Sequence, residues 1–333
     1  MTPIQKCIYK KSSKISSIWM MRQAGRYLPE FRKIRKKNKD FIKLCLNYKM
    51  VPEITLQPLK RFDLDAAIVF SDILMIPYGL GQKVTFSKGF GPRLEKFKLD
   101  KIKKTKSEDF MSNLKPIYKS LKKISKNKIL RDKDLIGFVG APWTLLVYMI
   151  NQQSPKKKLK GSFFKDKHEF KEIFKVIESF SKIHILNQIK NGATIIQIFD
   201  SWAGLVEKKD LHEFVYIPNK NIVDYVKSLG VPAICFPKGI RDFKTFVDQV
   251  EPDVLSIDYE VKPREILKNI SIPIQGGFNP NVLLTNKDEI KKEALKYINI
   301  FKDHPYIFNL GHGVLPQTNP NMVEYLVNFV KDN

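Results

Sequence analysis

Two arginines near the amino end could bind an anion, because they lie four residues apart in a chain that is poor in arginine. Arg22 and Arg26 belong to the segment WMMRQAGRYLPEFR, residues 19–32. Only nine of the 59 basic residues are arginines, so this pair among apolar neighbours suggests a need for planar bidentate donors. If the segment is helical, both side chains share one face, where like charges repel weakly. We expect the pair to bind a carboxylate or phosphate; the alternative is an exposed basic helix face.

Two further side chains have sequence neighbours that suggest chemistry. Asp72 follows a run of apolar residues that ends at Phe70, and His312 lies between Gly311 and Gly313. A carboxylate at the end of a buried strand is partly desolvated, so Asp72 is either a helix cap or an acceptor for ligand N–H groups. The glycines beside His312 leave room for a ligand to approach, although the same pattern also occurs in turns.

The elements that must position these residues alternate between strands and helices. The predicted strands are short apolar runs with β-branched residues: Ala66–Phe70, Leu135–Val139, Thr194–Phe199, Pro232–Phe236, Val254–Ile257, Ile272–Gln275 and Tyr306–Asn309. Helical patterns separate most of them: Phe110–Ile124, Glu169–Lys190, Asn221–Leu229, Phe243–Val250, Arg264–Ile270 and Lys287–Phe301, with Asn319–Val330 closing the chain. This alternation predicts a parallel α/β fold, and the length favours a distorted (β/α)8 barrel over an open sheet.

The domain organisation follows from the same pattern. Seven strands are identified, and we expect the eighth within Val84–Leu94, where glycines and a proline blur the alternation. A helical preamble, Pro29–Lys60, precedes the first strand. No Gly/Ser-rich or Pro-rich linker divides the chain, so residues 1–333 are predicted to form one domain, with an N-terminal segment at 1–60 and the barrel at 61–333.

Unusual residues follow each predicted strand, where the loops of a (β/α)8 barrel build the active site. They are Ser71 and Asp72; Gly140, Ala141 and Pro142; Asp200 and Ser201; Pro237 and Lys238; Asp258; Gly276 and Gly277; and the Gly311–Gly313 triplet. Ordinary turn chemistry explains part of this pattern.

Composition limits the class of protein. The net charge of +25 comes from lysines spread through Ile- and Asn-rich sequence, which favours an anionic ligand over nucleic acid. Three widely spaced cysteines predict neither a disulfide framework nor a metal knuckle, and hence a reducing compartment. Residues 1–17 show no secretory signal, and Leu135–Ile150 is too short to span a membrane, so a cytoplasmic protein without membrane association is expected.

Two segments carry a family resemblance. Residues 19–32 and 137–148 (GFVGAPWTLLVY) resemble the two signature segments of the uroporphyrinogen decarboxylase family. Phe70–Leu74, Cys235–Gly239 and Asn309–Pro316 add to the match in the right order. The resemblance implies a distorted (β/α)8 barrel, a homodimer, and removal of four carboxyl groups from the acetate arms of uroporphyrinogen III. The implied product is coproporphyrinogen III, formed in porphyrin and heme biosynthesis without a metal or organic cofactor.

The resemblance also implies roles for individual residues. It places the substrate arginines at Arg22 and Arg26, the central aspartate at Asp72, and the remaining contacts at Tyr148, Ser201 and His312. Catalysis is assigned to Asp72, Arg22, Tyr148 and His312, and all six bind substrate. The chain differs from the family at residues 276–280, GGFNP where GNLDP is common, and at Asp258-Tyr259 where Asp-Trp is common.

The chemistry implied by the resemblance suits these residue types. A protonated pyrrole can accept the electrons released with CO2, and an ionised Asp72 can gather pyrrole N–H groups and stabilise the developing positive charge. We expect nearby arginines to lower the pKa of Asp72. Tyr148 and a protonated His312 are competing proton donors, and the resemblance also allows an arginine. Ser201 is expected to bind a propionate or to orient Tyr148.

Two other interpretations stay open. A methyltransferase of the same superfamily would activate a thiol with zinc, but the five histidines show no His-x-Cys neighbour. A barrel without activity could bind tetrapyrroles or nucleic acid, in which case salt-sensitive DNA binding without decarboxylation is expected.

Overall fold

A parallel sheet of seven strands forms most of the barrel. The computed structural model describes residues 1–11, 17–87, 91–155 and 167–333. Its strands are β1 Ala66–Ile68, β2 Val84–Ser87, β3 Gly91–Leu94, β4 Asp134–Gly140, β5 Ile195–Asp200, β6 Ala233–Pro237, β7 Val254–Ile257, β8 Ile274–Gly276 and β9 Tyr306–Ile307. The parallel sheet has the order β1-β4-β5-β6-β7-β8-β9, so all seven predicted barrel strands are confirmed.

The eighth position of the barrel is filled by Ser17–Trp19, which we call the closing segment. On one side, Ile18 forms a parallel bridge with Phe308, just beyond β9. On the other side, the N–H of Asp65, just before β1, donates to Ile18 O at 2.8 Å, and the Ile18 N–H donates to Asp65 Oδ2 at 2.7 Å. The segment therefore joins the two edges of the seven-stranded sheet.

The predicted location of the eighth strand was wrong. Within Val84–Leu94, β2 and β3 pair with each other in antiparallel register, and they form a separate two-stranded sheet. The residues in this range form a half-exposed ribbon, whereas the closing segment is too short and too irregular to give a strand pattern.

Helices connect the strands and cover the sheet. They are α1 Pro3–Lys10, α2 Pro29–Lys37, α3 Phe41–Cys45, α4 Val51–Arg61, α5 Met75–Gly79, α6 Leu99–Lys103, α7 Ser107–Ser125, α8 Pro142–Asn151, α9 Lys167–Lys190, α10 Ile217–Ser228, α11 Phe243–Val250, α12 Pro263–Ile266, α13 Lys287–Phe301 and α14 Pro320–Asp332. Local sequence sets several helix starts: Asp242 and Asn286 cap α11 and α13 by accepting backbone N–H groups. The helical preamble is confirmed as α2, α3 and α4.

The segment Leu135–Ile150 is divided between a strand and a helix. Its first part is β4, buried along its length, and its second part is α8, which begins at Pro142 because proline suits a first helical position. Among the described residues, no helix is both long and apolar enough to cross a membrane. Cys7, Cys45 and Cys235 are buried free thiols.

A chain of buried polar side chains crosses the inside of the barrel. Trp19 Nε1 donates to Gln275 Oε1 at 2.9 Å, and Gln275 Nε2 donates to Gln197 Oε1 and Ser256 Oγ, each at 3.1 Å. These groups satisfy one another, as buried polar groups must. The chain connects the closing segment to β8, β5 and β7.

Candidate active site

The carboxyl ends of the strands place the candidate residues at one mouth of the barrel. Asp72 follows β1, Tyr148 lies on α8 after β4, Ser201 follows β5, and His312 follows β9. Arg22 follows the closing segment, so it enters the same mouth from the eighth position. A substrate bound at this mouth can therefore touch side chains from several strands at once.

Asp72 uses one carboxylate oxygen within the protein and leaves the other available. Its Oδ1 accepts the Leu74 N–H at 2.9 Å in the turn that leads into α5. Oδ2 accepts no hydrogen bond from any residue in the described ranges. Asp72 can therefore play both of the roles considered for it. One oxygen accepts a backbone N–H in the turn before α5, and the other can still accept a ligand N–H.

The pKa of Asp72 lies above its ordinary value, contrary to our expectation. Although the side chain keeps some exposure, burial raises its pKa to about 6, and this outweighs the lowering by the Leu74 N–H and the Arg22 charge. One cation therefore does not keep the carboxyl strongly acidic. Asp72 is still mostly ionised at neutral pH.

Arg22 is held in a backbone conformation that is unusual for a residue with a side chain. Its φ is 60°, in the left-handed region, so the loop stores strain at this position. Hydrogen bonds fix both flanks: the Met21 N–H donates to Asn309 Oδ1 at 2.9 Å, and the Val314 N–H donates to Met21 O at 2.9 Å. The guanidinium of Arg22 is exposed and so is available to an anion.

The glycines beside His312 admit protein atoms, not a ligand. A Cβ on Gly311 would lie 2.2 Å from the Tyr259 backbone N, and one on Gly313 would lie 2.2 Å from Arg22 Cδ. The loop is thus wedged between the β7 turn and the Arg22 side chain. This packing, which the sequence alone did not reveal, leaves His312 half-buried between its neighbours.

His312 is neutral at neutral pH. Burial, which is the largest cause, and the positive charges of Arg22 and Lys238 together lower its pKa to about 4, against smaller opposing contributions from Gly313 and Asp258. Protonating a half-buried imidazole near two cations is unfavourable. A protonated His312 is therefore not the resting state of this site.

Tyr148 is buried, and its hydroxyl lies among donors. Burial raises the pKa of Tyr148, as does the charge of Asp72, whereas the side chains of Ser154 and Trp202 and the charge of Arg22 lower it. Ser154 Oγ donates to Tyr148 Oη at 3.4 Å, and the Trp202 ring packs edge-on against the Tyr148 ring at 5.9 Å. The phenol is therefore protonated at neutral pH.

The charge of Arg22 acts on Asp72, Tyr148 and His312 alike. Because Coulomb interactions weaken with distance, these four groups must lie in one region of the barrel mouth. The structure thus brings together one exposed cation, one partly free carboxylate, one phenol and one neutral imidazole. Such a set can bind an anionic ligand and also stabilise positive charge that develops within it.

Arg26 and Ser201 make no side-chain hydrogen bond to the other candidate residues within the described ranges. The segment 19–28 consists of turns, so Arg22 and Arg26 do not share a helix face. Arg26 is exposed, and its carbonyl accepts a hydrogen bond from Arg32 Nη1 at 3.0 Å. The hydroxyl of Ser201 makes no hydrogen bond within the described ranges, and Tyr148 is contacted by Ser154 instead.

A buried network fixes the turn after β5. Asp200 Oδ1 accepts from Thr144 Oγ1 at 2.7 Å, and Asp200 Oδ2 accepts from Asn219 Nδ2 at 2.9 Å. The Trp202 N–H donates to Thr144 Oγ1 at 3.1 Å. Asp200 therefore holds Ser201 and Trp202 at the barrel mouth.

Two residues to which the sequence assigned no role in the site also lie at this mouth. The indole N–H of Trp202 is buried; it has no acceptor at full hydrogen-bonding geometry among the described residues, but it lies near enough to the Tyr148 hydroxyl to lower the pKa of Tyr148. Lys238, at the end of β6, acts electrostatically on His312. A signal for Lys238 was present, because it lies in the Cys235–Gly239 segment. Trp202 follows Ser201 directly, but the approach of its buried indole N–H to Tyr148 depends on packing and is invisible in the sequence.

Among the residues that the structure describes, no group of three or more His, Cys, Asp or Glu side chains could hold a metal ion.

Comparisons with known proteins identify relatives over the whole length. The sequence model of the uroporphyrinogen decarboxylase family matches residues 1–333. A uroporphyrinogen decarboxylase of Rickettsia felis is 40% identical over 329 residues, which cover 97% of this chain and 94% of the relative. The protein of the same name from Rickettsia canadensis is 38% identical, with 97% and 96% of the two chains covered.

A solved structure supports the fold. A methyltransferase from Methanosarcina mazei superposes with a TM-score of 0.78 at 13% identity, covering 98% of this chain and 96% of the other. At that identity the likeness supports the barrel architecture alone.

Proposed function

The chain belongs to the uroporphyrinogen decarboxylase family, and we propose that it converts uroporphyrinogen III to coproporphyrinogen III in porphyrin and heme biosynthesis. As a carboxy-lyase it would remove the carboxyl groups of four acetate arms. The observation that carries the proposal is the cluster of Arg22, Asp72, Tyr148 and His312 at the mouth of a family-typical barrel. The free oxygen of Asp72 among these groups suits a ligand that carries both N–H groups and carboxylates.

Charge favours capture of this substrate. Uroporphyrinogen carries eight carboxylates, and the protein carries a net charge of +25. Arg22 and Arg26, both exposed, are suited to bind carboxylates through their planar guanidinium groups. Ser201, whose hydroxyl has no partner among the described residues, would donate to a propionate.

The reaction needs an acceptor for electrons, and the substrate itself can supply it. Protonation of a pyrrole ring carbon gives a cation. The bond between the acetate CH2 and its carboxylate then breaks, CO2 leaves, and the electron pair neutralises the ring. A proton added at the exocyclic carbon, with loss of the ring proton, gives the methyl product. The net step consumes one proton for each CO2 released, so we propose that no metal or organic cofactor takes part.

Asp72 would stabilise this cation. Its free Oδ2 can accept pyrrole N–H groups, and its negative charge lies where the ring becomes positive. The turn through Leu74 holds the carboxylate in place before substrate arrives, so little reorganisation is needed during the reaction.

The electrostatics of the site reduce the number of candidate proton donors. With a pKa of about 4, the imidazole of His312 is not protonated at neutral pH and so cannot serve as the acid that protonates the pyrrole. The neutral imidazole would instead hydrogen-bond the substrate. Tyr148 keeps its proton and stays a candidate donor. Arg22 would act mainly on arms that do not react, because a cation on the departing carboxylate stabilises the ground state more than the transition state.

We further propose that residues 1–333 form one domain that acts as a homodimer in the cytoplasm. The run of barrel elements in the described ranges and the full-length family match support the single domain. Sedimentation equilibrium of the purified protein tests the dimer, and a monomer at micromolar concentration would contradict it.

The deciding experiment is anaerobic incubation with uroporphyrinogen III, scoring CO2 release and the successive loss of carboxyl groups. We expect the wild-type protein to form coproporphyrinogen. The Asp72→Asn variant should lose at least about 100-fold in turnover, because the amide keeps the shape and removes the charge. Substrate binding without CO2 release by the wild type would indicate a binding protein, and near-normal turnover in the variant would contradict the role of Asp72.

A further inference from the structure

Lys238 lies across the barrel mouth from Arg22. In the closed ring of closing segment, β1, β4, β5, β6, β7, β8 and β9, the closing segment and β6 occupy opposite positions. Arg22 follows the closing segment, and Lys238 follows β6. The two cations therefore flank the mouth on opposite sides, with Asp72 and Tyr148 entering between them on one arc and His312 on the other.

The backbone of Lys238 is fixed at the end of its strand. Its N–H donates to Asp200 O at 3.1 Å, and its carbonyl accepts from the Gly204 N–H at 3.0 Å. The turns after β5 and β6 are thus bonded together, and Gly204 and Gly239 pack backbone to backbone. The side chain of Lys238 begins from a rigid base.

The nearby acid does not neutralise Lys238. Buried Asp258 accepts the Gly239 N–H at 3.1 Å, the Glu260 N–H at 3.0 Å and Arg241 Nη1 at 3.2 Å. These three donors occupy three of the roughly four acceptor positions of its carboxylate, and none of them is the Lys238 ammonium. Within the described ranges, the ammonium of half-buried Lys238 has no hydrogen bond or ion pair.

An ammonium without a hydrogen bond or ion pair is available to an anion, and the charge-assisted hydrogen bonds it would form are among the stronger ones in proteins. The charges of Lys238 and Arg22 also reach the same imidazole, that of His312, so both cations act on the space inside the mouth. A polycarboxylate in that space would meet a cation on each side.

We propose that Lys238 is a substrate-binding residue whose ammonium pairs with a propionate of the tetrapyrrole, on the side of the mouth opposite Arg22. This inference rests on the proposed function. The propionates are the better partners because they remain through all four decarboxylations. A cation on a departing acetate would instead oppose the reaction.

The first test measures binding without turnover. Coproporphyrinogen, which keeps the four propionates, is titrated anaerobically into the wild type and into the Lys238→Met, Lys238→Arg and Lys292→Met variants. Lys292 is an exposed residue of α13 and serves as the matched control. We expect Lys238→Met to raise Kd about tenfold, which corresponds to one charge-assisted contact, while Lys238→Arg keeps most of the affinity and Lys292→Met keeps all of it.

Steady-state kinetics with uroporphyrinogen gives a second reading. Since a propionate contact is made equally in the ground and transition states, Lys238→Met should raise KM and leave kcat nearly unchanged. An unchanged Kd for coproporphyrinogen would overturn the proposal. A raised KM together with an unchanged Kd for coproporphyrinogen would place the contact on an acetate and would overturn the propionate assignment.

The wild-type protein provides a test that does not depend on the folding of a variant. Lysines are acetylated with acetic anhydride in the presence and absence of coproporphyrinogen, and each site is quantified by mass spectrometry. Lys238 should be protected by the ligand, and Lys292 should not; equal labelling of Lys238 in both samples would refute the contact. Failure of the proposed function would be recognised separately, as an absence of CO2 release from uroporphyrinogen by the wild type.

Discussion

Burial and neighbouring groups shift the pKa of Asp72 in opposite directions, and the sequence does not show which effect is larger. Burial favours the neutral acid, whereas the Leu74 N–H and the Arg22 charge favour the carboxylate. Burial is the largest, so the pKa rises to about 6 from 3.8. If the ionised carboxylate is the active form, activity and stability depend on the same proton in opposite directions.

The pH profile should report this proton. If ionised Asp72 is needed, kcat/KM should fall about tenfold per pH unit as the pH drops below about 6. His312 does not account for such a limb, because it is already neutral above about pH 4. The residual activity of a His312→Gln variant should therefore show the same limb, and a limb that disappears in this variant would contradict the assignment to Asp72.

Stability should change in the opposite sense over this range. Between pH 3.8 and about 6 the folded protein binds more protons at Asp72 than the unfolded chain, so this group lowers the free energy of unfolding as the pH rises. At pH 8 the Asp72→Asn variant should accordingly be inactive yet more stable than the wild type in urea unfolding.

Residue identities were more predictable than their environments. The sequence alone indicated Asp72, Ser201 and His312 from their positions after apolar strands, and the family resemblance added Tyr148 and a role for Ser201. The sequence did not indicate that the aliphatic part of the Arg22 side chain packs against Gly313, because that contact joins residues far apart in the chain. Sequence spacing also suggested a helix face for Arg22 and Arg26, where the chain instead forms turns.

At the scale of elements, the barrel strands were predictable because their burial makes them continuously apolar. The closing segment was not, because it joins the sheet through one parallel bridge and a few hydrogen bonds. Its partners, Asp65 and Phe308, are distant in sequence. An element defined by such contacts leaves no periodic pattern to read.

The polar chain inside the barrel gives a prediction for these elements. Gln275→Leu removes the acceptor of Trp19 and the donor to Gln197 and Ser256. The free energy of unfolding should fall by about 2–4 kcal/mol, since each buried group left without a partner costs about 1–3 kcal/mol. Urea unfolding measures the change.

Two comparisons control this experiment. The exposed Lys292→Met variant should stay within about 0.5 kcal/mol of the wild type. The double variant Trp19→Phe with Gln275→Leu should lose less than the two single changes together, because both partners are then apolar. A loss below about 0.5 kcal/mol for Gln275→Leu would show that the interior chain is not needed for stability.

At the scale of the whole molecule, charge and site suit the same ligand class. The net charge of +25 is spread over many exposed lysines, while the cations of the site are few and placed at the mouth. Composition alone predicted an anionic ligand. It could not locate the site, since a lysine count carries no positions in space.

Salt should therefore slow capture of the substrate. Between about 0.05 and 0.5 M KCl, kcat/KM for uroporphyrinogen should fall severalfold, because screening weakens the attraction between the protein and an octacarboxylate. The value of kcat should change much less. Sucrose at matched viscosity is the control for diffusion, and a kcat/KM that does not depend on salt would contradict steering by the net charge.

The closing segment also sets an order of events during synthesis. Ile18 and Phe308 are about 290 positions apart, so their pairing is among the last contacts a growing chain can make. The hydrogen bonds from Met21 to Asn309 and from Val314 to Met21, which fix Arg22, wait for the same residues. On the ribosome the Arg22 loop thus stays unfixed until Asn309 and Val314 have emerged; if Arg22 binds substrate as proposed, a nascent chain cannot hold a tetrapyrrole in a half-built cleft.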